Sequence, residues 1–271
     1  MKLILRGALQ KEWANKDVFA LVQQLEGEIF RDKEGRQTRR FSYGGNYYFR
    51  KLHSGIGWLE IVKNFSQAKM PVLGAINEWQ AINRVKALGL DTLNAVAYGK
   101  KGWNPATQLS FLVTEELTET ISLEDYGAKW LEKPPSLREK RAIITRVACI
   151  ARTIHQAGIN HRDLYICHFL LDQSKEARQN KLEPRLFLVD LHRAQIRNKV
   201  PTRWLVKDIA SIYFSSLDIG LTRGDVLRFL QVYFDAPLRD TLVAREGLLA
   251  RVTRRAIRVY QREFGRIPRL P

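Results

Sequence analysis

The chain is short of cysteine, of acidic residues relative to basic ones, and of long apolar runs, and each shortage removes a class of protein. Its only two cysteines, Cys149 and Cys167, stand far apart, which excludes a disulfide scaffold. No stretch approaches the ~18 consecutive apolar residues of a membrane span. The apolar run in Met1-Lys2-Leu3-Ile4-Leu5-Arg6 is too short for a signal peptide. Zinc-ligand spacings, RNA-binding aromatic motifs, internal repeats and low-complexity linkers are missing as well. Against 28 acidic side chains stand 45 Lys and Arg, a formal charge of +17 that calls for an anionic partner. A bare positive charge is nonspecific, and without a motif to go with it no nucleic-acid partner is expected. With 45% hydrophobic residues over 271 positions, the chain can bury one large core or two lobes. These features predict a soluble cytoplasmic protein that visits a charged surface.

What is present changes period part-way along. From Gly27 to about Leu117, short strand-like runs are divided by turn signals; beyond Ser136, helical spacing dominates. Ser136-Leu137-Arg138-Glu139 reads as a capping box opening a helix of about twenty residues. Ile143, Val147, Ile150 and Ile154 form its core face, and Gly158 ends it. That helix delivers the chain to His161-Arg162-Asp163, followed by the strand-like Phe169-Leu170-Leu171-Asp172. A carboxylate presented this way matches a kinase-type catalytic loop, in which Asp163 accepts a hydroxyl proton and aims the oxygen at a γ-phosphate. His161 and Arg162 are expected to brace the loop.

The other parts such chemistry needs follow in order. Glu28-Ile29-Phe30-Arg31, Arg39-Arg40-Phe41-Ser42-Tyr43 and Tyr47 to Leu52 read as three strands joined by turns at Asp32-Lys33-Glu34-Gly35 and Gly44-Gly45-Asn46. Lys51, on the third, is placed to hold α- and β-phosphates, and Glu78, in a helix from Ala75 to Leu88, is placed to pair with it. Thr92 to Tyr98 and Leu109 to Val113 read as two further strands, and Thr114-Glu115-Glu116-Leu117 falls where an adenine-binding hinge belongs, making Glu115 and Leu117 nucleotide contacts. A Gly-x-Gly-x-x-Gly loop is absent, and Arg31, Arg36, Arg39 and Arg40 are expected to take over part of its work on phosphates. Downstream, Leu186-Phe187-Leu188-Val189-Asp190 reads as a strand ending in a magnesium-binding carboxylate, with Leu191-His192 after it. His168 occupies the position where an asparagine usually holds a second metal; an imidazole is a poor magnesium ligand, so contact with phosphate or Asp163 is the other reading. Eighteen positions separate Asp190 from Asp208, which opens another helical pattern. That interval leaves little room for a peptide-docking segment, and no Ala-Pro-Glu follows, so a small molecule or sugar is the expected acceptor.

Assembled, these residues resemble the lipopolysaccharide core heptose kinases, the WaaP-like group of the protein-kinase-like superfamily. The resemblance lies in His161 to Leu171, Val189 to Gln195, Pro71-Val72-Leu73-Gly74-Ala75 with Glu78-Trp79, Thr120 to Tyr126, Tyr213 to Ser216 and Asp218 to Thr222. It implies an α+β, bilobal protein-kinase-like fold. Residues 1–117 would be a nucleotide-binding N-lobe, an antiparallel sheet with one αC-type helix; residues 118–271 would be a mostly helical, catalytic and acceptor-binding C-lobe. It further implies ATP- and Mg2+-dependent phosphorylation of the first heptose of the lipopolysaccharide inner core, at the cytoplasmic face of the inner membrane. By position it makes Asp163 the base, Asp190 with His168 the metal site, and Lys51 with Glu78 the phosphate anchor. The rival readings are a sibling sugar kinase acting on heptose II or Kdo, and a protein kinase.

Near the C-terminus, Arg251, Arg255, Arg258 and Arg262 recur at helical spacing, with Leu248, Leu249, Val252, Val259 and Tyr260 largely on another side. One reading is a core-packed helix with a solvated face. The other is a basic stripe that meets anionic lipid, the phosphates of the lipopolysaccharide acceptor, or a small acidic protein partner.

Overall fold

Strand runs and turn glycines build the expected sheet, and the chain's first residues add to it. The computed structural model describes residues 1–33, 35–55, 74–104 and 107–271; Glu34 and Pro71-Val72-Leu73 of the expected motifs lie outside the described residues. Two compact units result. The first comprises Met1–Arg84, Leu93–Thr118 and Leu191–Arg193, and the second Val85–Thr92, Glu119–Asp190 and Ala194–Pro271.

In the first unit, β1 (Lys2–Leu5), α1 (Gly7–Trp13) and α2 (Val18–Gln24) precede the meander of β2 (Glu28–Lys33), β3 (Arg36–Tyr43) and β4 (Asn46–His53). Then come α3 (Ile76–Ala87), β5 (Ala95–Lys101) and β6 (Leu109–Glu115). The strands form one antiparallel sheet in the order β1-β5-β6-β4-β3-β2. Both glycines of the turn between β3 and β4, Gly44 and Gly45, have the positive φ of 56° and 78° that a tight hairpin requires. Leu9, Trp13, Phe19 and Val22 of the two leading helices pack with Phe41, Tyr48, Val96, Phe111 and Val113 of the sheet to make its core. The strand expected over Thr92 to Tyr98 starts later, at Ala95. Thr92 instead donates its hydroxyl to the carbonyl of Leu188 and bridges to it in parallel. Arg50 is buried at 1% exposure in this unit, its guanidinium donating to the Val22 carbonyl and to Gln37 Oε1. Burial, with Arg39 nearby, lowers its pKa to about 10.

The second unit is mostly helical. It contains β7 (Thr120–Ser122), α4 (Leu123–Ala128), α5 (Leu137–Gln156), β8 (Ile159–Asn160), β9 (Phe169–Asp172), α6 (Lys175–Gln179), β10 (Leu186–Leu188) and β11 (Gln195–Ile196). After them come α7 (Thr202–Ser215), α8 (Arg223–Phe234), α9 (Leu238–Ala244) and α10 (Glu246–Phe264). α5 has the expected extent and core face, with Ile143, Val147, Ile150 and Ile154 all buried against α8 and its surroundings. Only half of its expected capping box forms. Ser136 Oγ accepts from the Glu139 amide at 3.2 Å, but the Glu139 carboxylate takes the Tyr126 hydroxyl and Lys181 instead. A complete capping box opens α8, between Thr222 and Asp225. Gly158 is fixed by space as well as by its φ of 77°: a Cβ there would lie 1.7 Å from the Arg197 carbonyl oxygen. α10 packs on α7 and turns Val252, Ala256 and Tyr260 inward, leaving Arg251, Arg255, Arg258 and Arg262 exposed. Both cysteines are free, and burial pushes the Cys167 thiol up to about 11. Among the described residues no helix is long and apolar enough to cross a membrane.

Candidate active site

α5 ends at Gly158 and β8 carries the chain into His161-Arg162-Asp163, all within the second unit. The loop is held from behind by Asp208, which is fully buried in the second turn of α7. Its two carboxylate oxygens accept the backbone N–H groups of His161 at 2.7 Å and Arg162 at 2.8 Å, and Oδ2 lies 3.3 Å from His155 Nε2. His155 Nδ1 pairs in turn with the Tyr233 hydroxyl at 2.8 Å. Asp208 therefore does not open its helix; Thr202 does, six positions earlier. A carboxylate that accepts two amides fixes the path of the loop, including the left-handed φ of 76° at Arg162, which costs a non-glycine residue on the order of 1 kcal/mol.

His161 is fully buried and its Nε2 lies 3.0 Å from the Val189 carbonyl, so that nitrogen carries the proton. Burial holds its pKa below the usual histidine range, and the ring is neutral. Val189 precedes Asp190, so this bond ties the loop of Asp163 to the strand end that presents the second carboxylate. The expectation that His161 and Arg162 brace the loop fits this arrangement.

The Asp163 carboxylate is partly exposed, and Lys207 Nζ stands 3.3 Å from its Oδ1. Its backbone carbonyl accepts from His168 Nδ1 at 2.7 Å, and His168 Nε2 lies 3.5 Å from Asp190 Oδ2. His168 also stacks on His161, with ring centroids 5.6 Å apart and planes at 19°. Of the alternatives for His168, contact with Asp163 is thus observed, through the main chain, and the ring joins the two carboxylate-bearing segments. Asp190 adopts a left-handed φ of 60°, a conformation that aspartate tolerates better than most residues. Among the described residues no group of three or more His, Cys, Asp or Glu side chains is placed to hold a metal ion. One accessible carboxylate beside an imidazole suits magnesium, which commonly takes one or two protein carboxylates and completes its shell with phosphate oxygens and water.

In the first unit, Lys51 on β4 forms a hydrogen-bonded ion pair with Glu78 on α3, and Arg36 stands 3.9 Å from the same carboxylate. Glu78 is only 2% exposed, so it is the carboxylate of a nearly buried pair rather than a surface charge. Glu115 closes β6: its amide donates to the Asn94 carbonyl and its carboxylate accepts from Asn94 Nδ2 at 2.6 Å. The chain leaves the sheet at Leu117, half-buried. Two of the four arginines expected at the phosphates are engaged elsewhere. Arg40 makes a bidentate pair with Glu116 at 2.9 Å, and Arg39 donates to the Leu25 carbonyl. Partners at the end of α2 and just beyond β6 claim these two guanidiniums, which linear spacing does not reveal. Sequence reasoning missed Lys207 and took Asp208 for the start of its helix rather than the brace of this loop. The available signal was a Lys-Asp pair set among apolar residues of a helical pattern, where a solvated carboxylate would not belong.

The α+β fold and this carboxylate-bearing loop are those of a kinase, and comparison with known proteins gives the family. The sequence profile of the lipopolysaccharide kinase (Kdo/WaaP) family matches residues 20–233. The chain is 50% identical over 263 residues to the lipopolysaccharide core heptose(I) kinase WaaP of Pseudomonas aeruginosa, covering 97% of each. To the protein of the same name from Escherichia coli K12 it is 50% identical over 258 residues, 95% of this chain and 97% of the relative. A solved structure of WaaP in complex with acyl carrier protein superposes with a TM-score of 0.84 at 45% identity, over 96% of this chain and 100% of that one. The chain belongs to the lipopolysaccharide kinase (Kdo/WaaP) family.

Proposed function

We propose that this protein transfers the γ-phosphate of ATP to a hydroxyl of the first heptose of the lipopolysaccharide inner core. The observation that carries the acceptor is the 50% identity, over nearly the whole chain, to two heptose(I) kinases. Kinase membership entails ATP as donor. In this reading the first unit binds the nucleotide: Lys51, oriented by Glu78, anchors the α- and β-phosphates, and Glu115 to Leu117 frame the adenine. The second unit handles the acceptor. Asp163 takes the hydroxyl proton as the new O–P bond forms and the bond to ADP breaks, while Lys207, 3.3 Å from its Oδ1, helps to aim the carboxylate. Asp190 is the magnesium ligand, and His168 flanks it while fixing the Asp163 main chain, an oxygen being the better donor to that ion. Bound magnesium would neutralise charge on the β- and γ-phosphate oxygens.

The partner reading follows from charge and from the relative solved with acyl carrier protein. The exposed arginines of α10 offer a surface to such a small acidic protein. An apolar cavity of about 160 Å³, lined by Trp130, Ile143, Val147, Ile212, Leu230 and Val252, has the character to accept an acyl chain. The charge of +17 also supports peripheral attachment to the anionic cytoplasmic face of the inner membrane. The test of function is incubation with ATP, magnesium and dephosphorylated core lipopolysaccharide, followed by NMR location of the new phosphate. Phosphate on the first heptose is expected; phosphate on the second heptose or on Kdo would move the protein to the sibling activity.

A further inference from the structure

Aromatic rings run in an unbroken line from the catalytic loop to the end of the last helix. Tyr165 stands two positions after Asp163, and its amide donates to the Asp163 carbonyl at 2.9 Å. Its ring meets His168 at a centroid distance of 6.1 Å, and meets Phe214, in the last turn of α7, at 6.0 Å and 76°. Phe214 lies nearly parallel to Phe264, the last residue of α10, at 6.2 Å and 28°. Tyr260 backs both rings, 6.2 Å from Phe214 and 4.6 Å from Phe264. All of these residues belong to the second unit.

The rings differ in how much of them is covered. Tyr260 is buried, Tyr165 and Phe214 are partly buried, and Phe264 is 53% exposed. The Tyr260 hydroxyl donates to both oxygens of Asp218, at 3.0 and 2.7 Å, which ties α10 to the segment after α7. Val252, Ala256 and Tyr260 thus close α10 onto its neighbours, while Phe264 keeps about half of its surface in water. The ring is held in place by a fixed helix and remains open to a ligand.

A sugar ring has a face of C–H groups, weakly positive and apolar, with its hydroxyls around the edge. That face stacks on the electron-rich face of an aromatic ring, which removes apolar surface of both from water while the hydroxyls stay hydrated. Steps of 6.0 and 6.2 Å between successive rings are comparable with the spacing of sugars joined through one glycosidic oxygen. The line starts on the loop that presents the candidate base, so a sugar seated at its inner end has a hydroxyl within reach of Asp163.

We infer that Tyr165, Phe214 and Phe264 form a stacking platform for the acceptor, with the phosphorylated sugar at Tyr165 and the next sugar of the core toward Phe264. This rests on the proposed reading of the protein as a kinase of the lipopolysaccharide core. Tyr260, which touches neither sugar, is a positioning residue.

The test uses the full chain with ATP, magnesium and two acceptors: dephosphorylated core lipopolysaccharide, and the same core freed of its lipid chains. Steady-state kinetics are measured for the wild type, Phe264→Leu, Phe264→Trp and Tyr165→Leu. Leucine keeps an apolar side chain beside Phe214 but removes the π-face, so Phe264→Leu should raise the KM for either acceptor about fivefold. Its kcat and its KM for ATP should not move, since the contact is equal in ground and transition states. Phe264→Trp restores a ring and should recover the wild-type KM. Tyr165→Leu, beneath the reacting sugar, should raise the acceptor KM and also lower kcat, because the hydroxyl loses its alignment. Saturation-transfer NMR on the lipid-free core gives a readout independent of turnover. Irradiating the protein's aromatic protons should light up sugar C–H protons with the wild type and do so more weakly with Phe264→Leu. An unchanged acceptor KM in both leucine variants, or a rise that Phe264→Trp does not recover, overturns the platform and leaves the kinase reading intact. A penalty confined to the lipid-bearing acceptor also overturns it and assigns the rings to an acyl chain. A wild type that phosphorylates neither acceptor overturns the kinase reading, and the platform with it.

Discussion

Changing Asp208 to Asn separates a buried brace from a helix cap. Asn and Asp serve almost equally well as N-caps, so a cap would lose almost nothing. In the structure, Asp208 is fully buried and each of its oxygens accepts a catalytic-loop amide, at 2.7 and 2.8 Å. A carboxamide offers one acceptor oxygen and turns an NH2 toward the other amide. One charge-assisted bond is then lost and a buried donor is left without an acceptor, together costing roughly 3 kcal/mol. For a domain of this size each kcal/mol lowers Tm by about 2–4 °C, so a fall of roughly 6–12 °C is expected. The left-handed turn at Arg162 relaxes once its amide is released, and Asp163 moves with it. A misplaced base should lower kcat by about a hundredfold, with the affinity for ATP unchanged. Calorimetry and steady-state kinetics on the purified variant provide both readouts. A variant with wild-type Tm and kcat would refute the brace.

Three further outcomes follow from other parts of the molecule. Glu78→Gln leaves Lys51 and Arg36 without their nearly buried carboxylate and should cost about 3 kcal/mol, with nucleotide affinity falling in a fluorescent-ATP titration; unchanged affinity would detach this pair from nucleotide binding. His53 is buried near Arg36 and Lys51, and burial first, then those charges, holds its pKa at about 3 against an ordinary 6.5. The unfolded chain therefore takes up a proton as pH falls below 6.5 while the folded chain resists until about 3, so stability should decline through that window. The decline is at most about 1.4 kcal/mol per pH unit, and His53→Gln should flatten it in urea unfolding curves. Gly158→Ala places a Cβ 1.7 Å from the Arg197 carbonyl at a left-handed φ, and should cost at least about 2 kcal/mol by the same unfolding assay.

The parts of this fold legible in the sequence are those whose signals are local. α5 announces itself by a full amphipathic period, an N-cap serine and a glycine that only a left-handed turn explains. The β3–β4 hairpin does so by its paired glycines. β1 could not be read this way. Four residues of strand gain their meaning only by pairing with β5, nearly a hundred positions on. Asp163, Asp190, Lys51 and Glu78 stand out as candidates because their order along the chain follows a known chemistry. Asp208 was seen but misplaced, since on a helix buried nearly all round a carboxylate gives no periodic cue to its role. Arg39 and Arg40 look like phosphate ligands in sequence because charge is visible there and partners are not.

Single-turnover transfer from γ-labelled ATP to dephosphorylated core lipopolysaccharide, compared between the wild type and Asp163→Asn, decides whether Asp163 is the base of a core sugar kinase. Label is expected on the first heptose for the wild type. For Asp163→Asn, transfer should be slower by roughly 10²–10⁴-fold at saturating acceptor, with ATP binding nearly intact. Near-normal transfer by Asp163→Asn, or wild-type label that reaches protein and not the core sugar, would contradict that assignment.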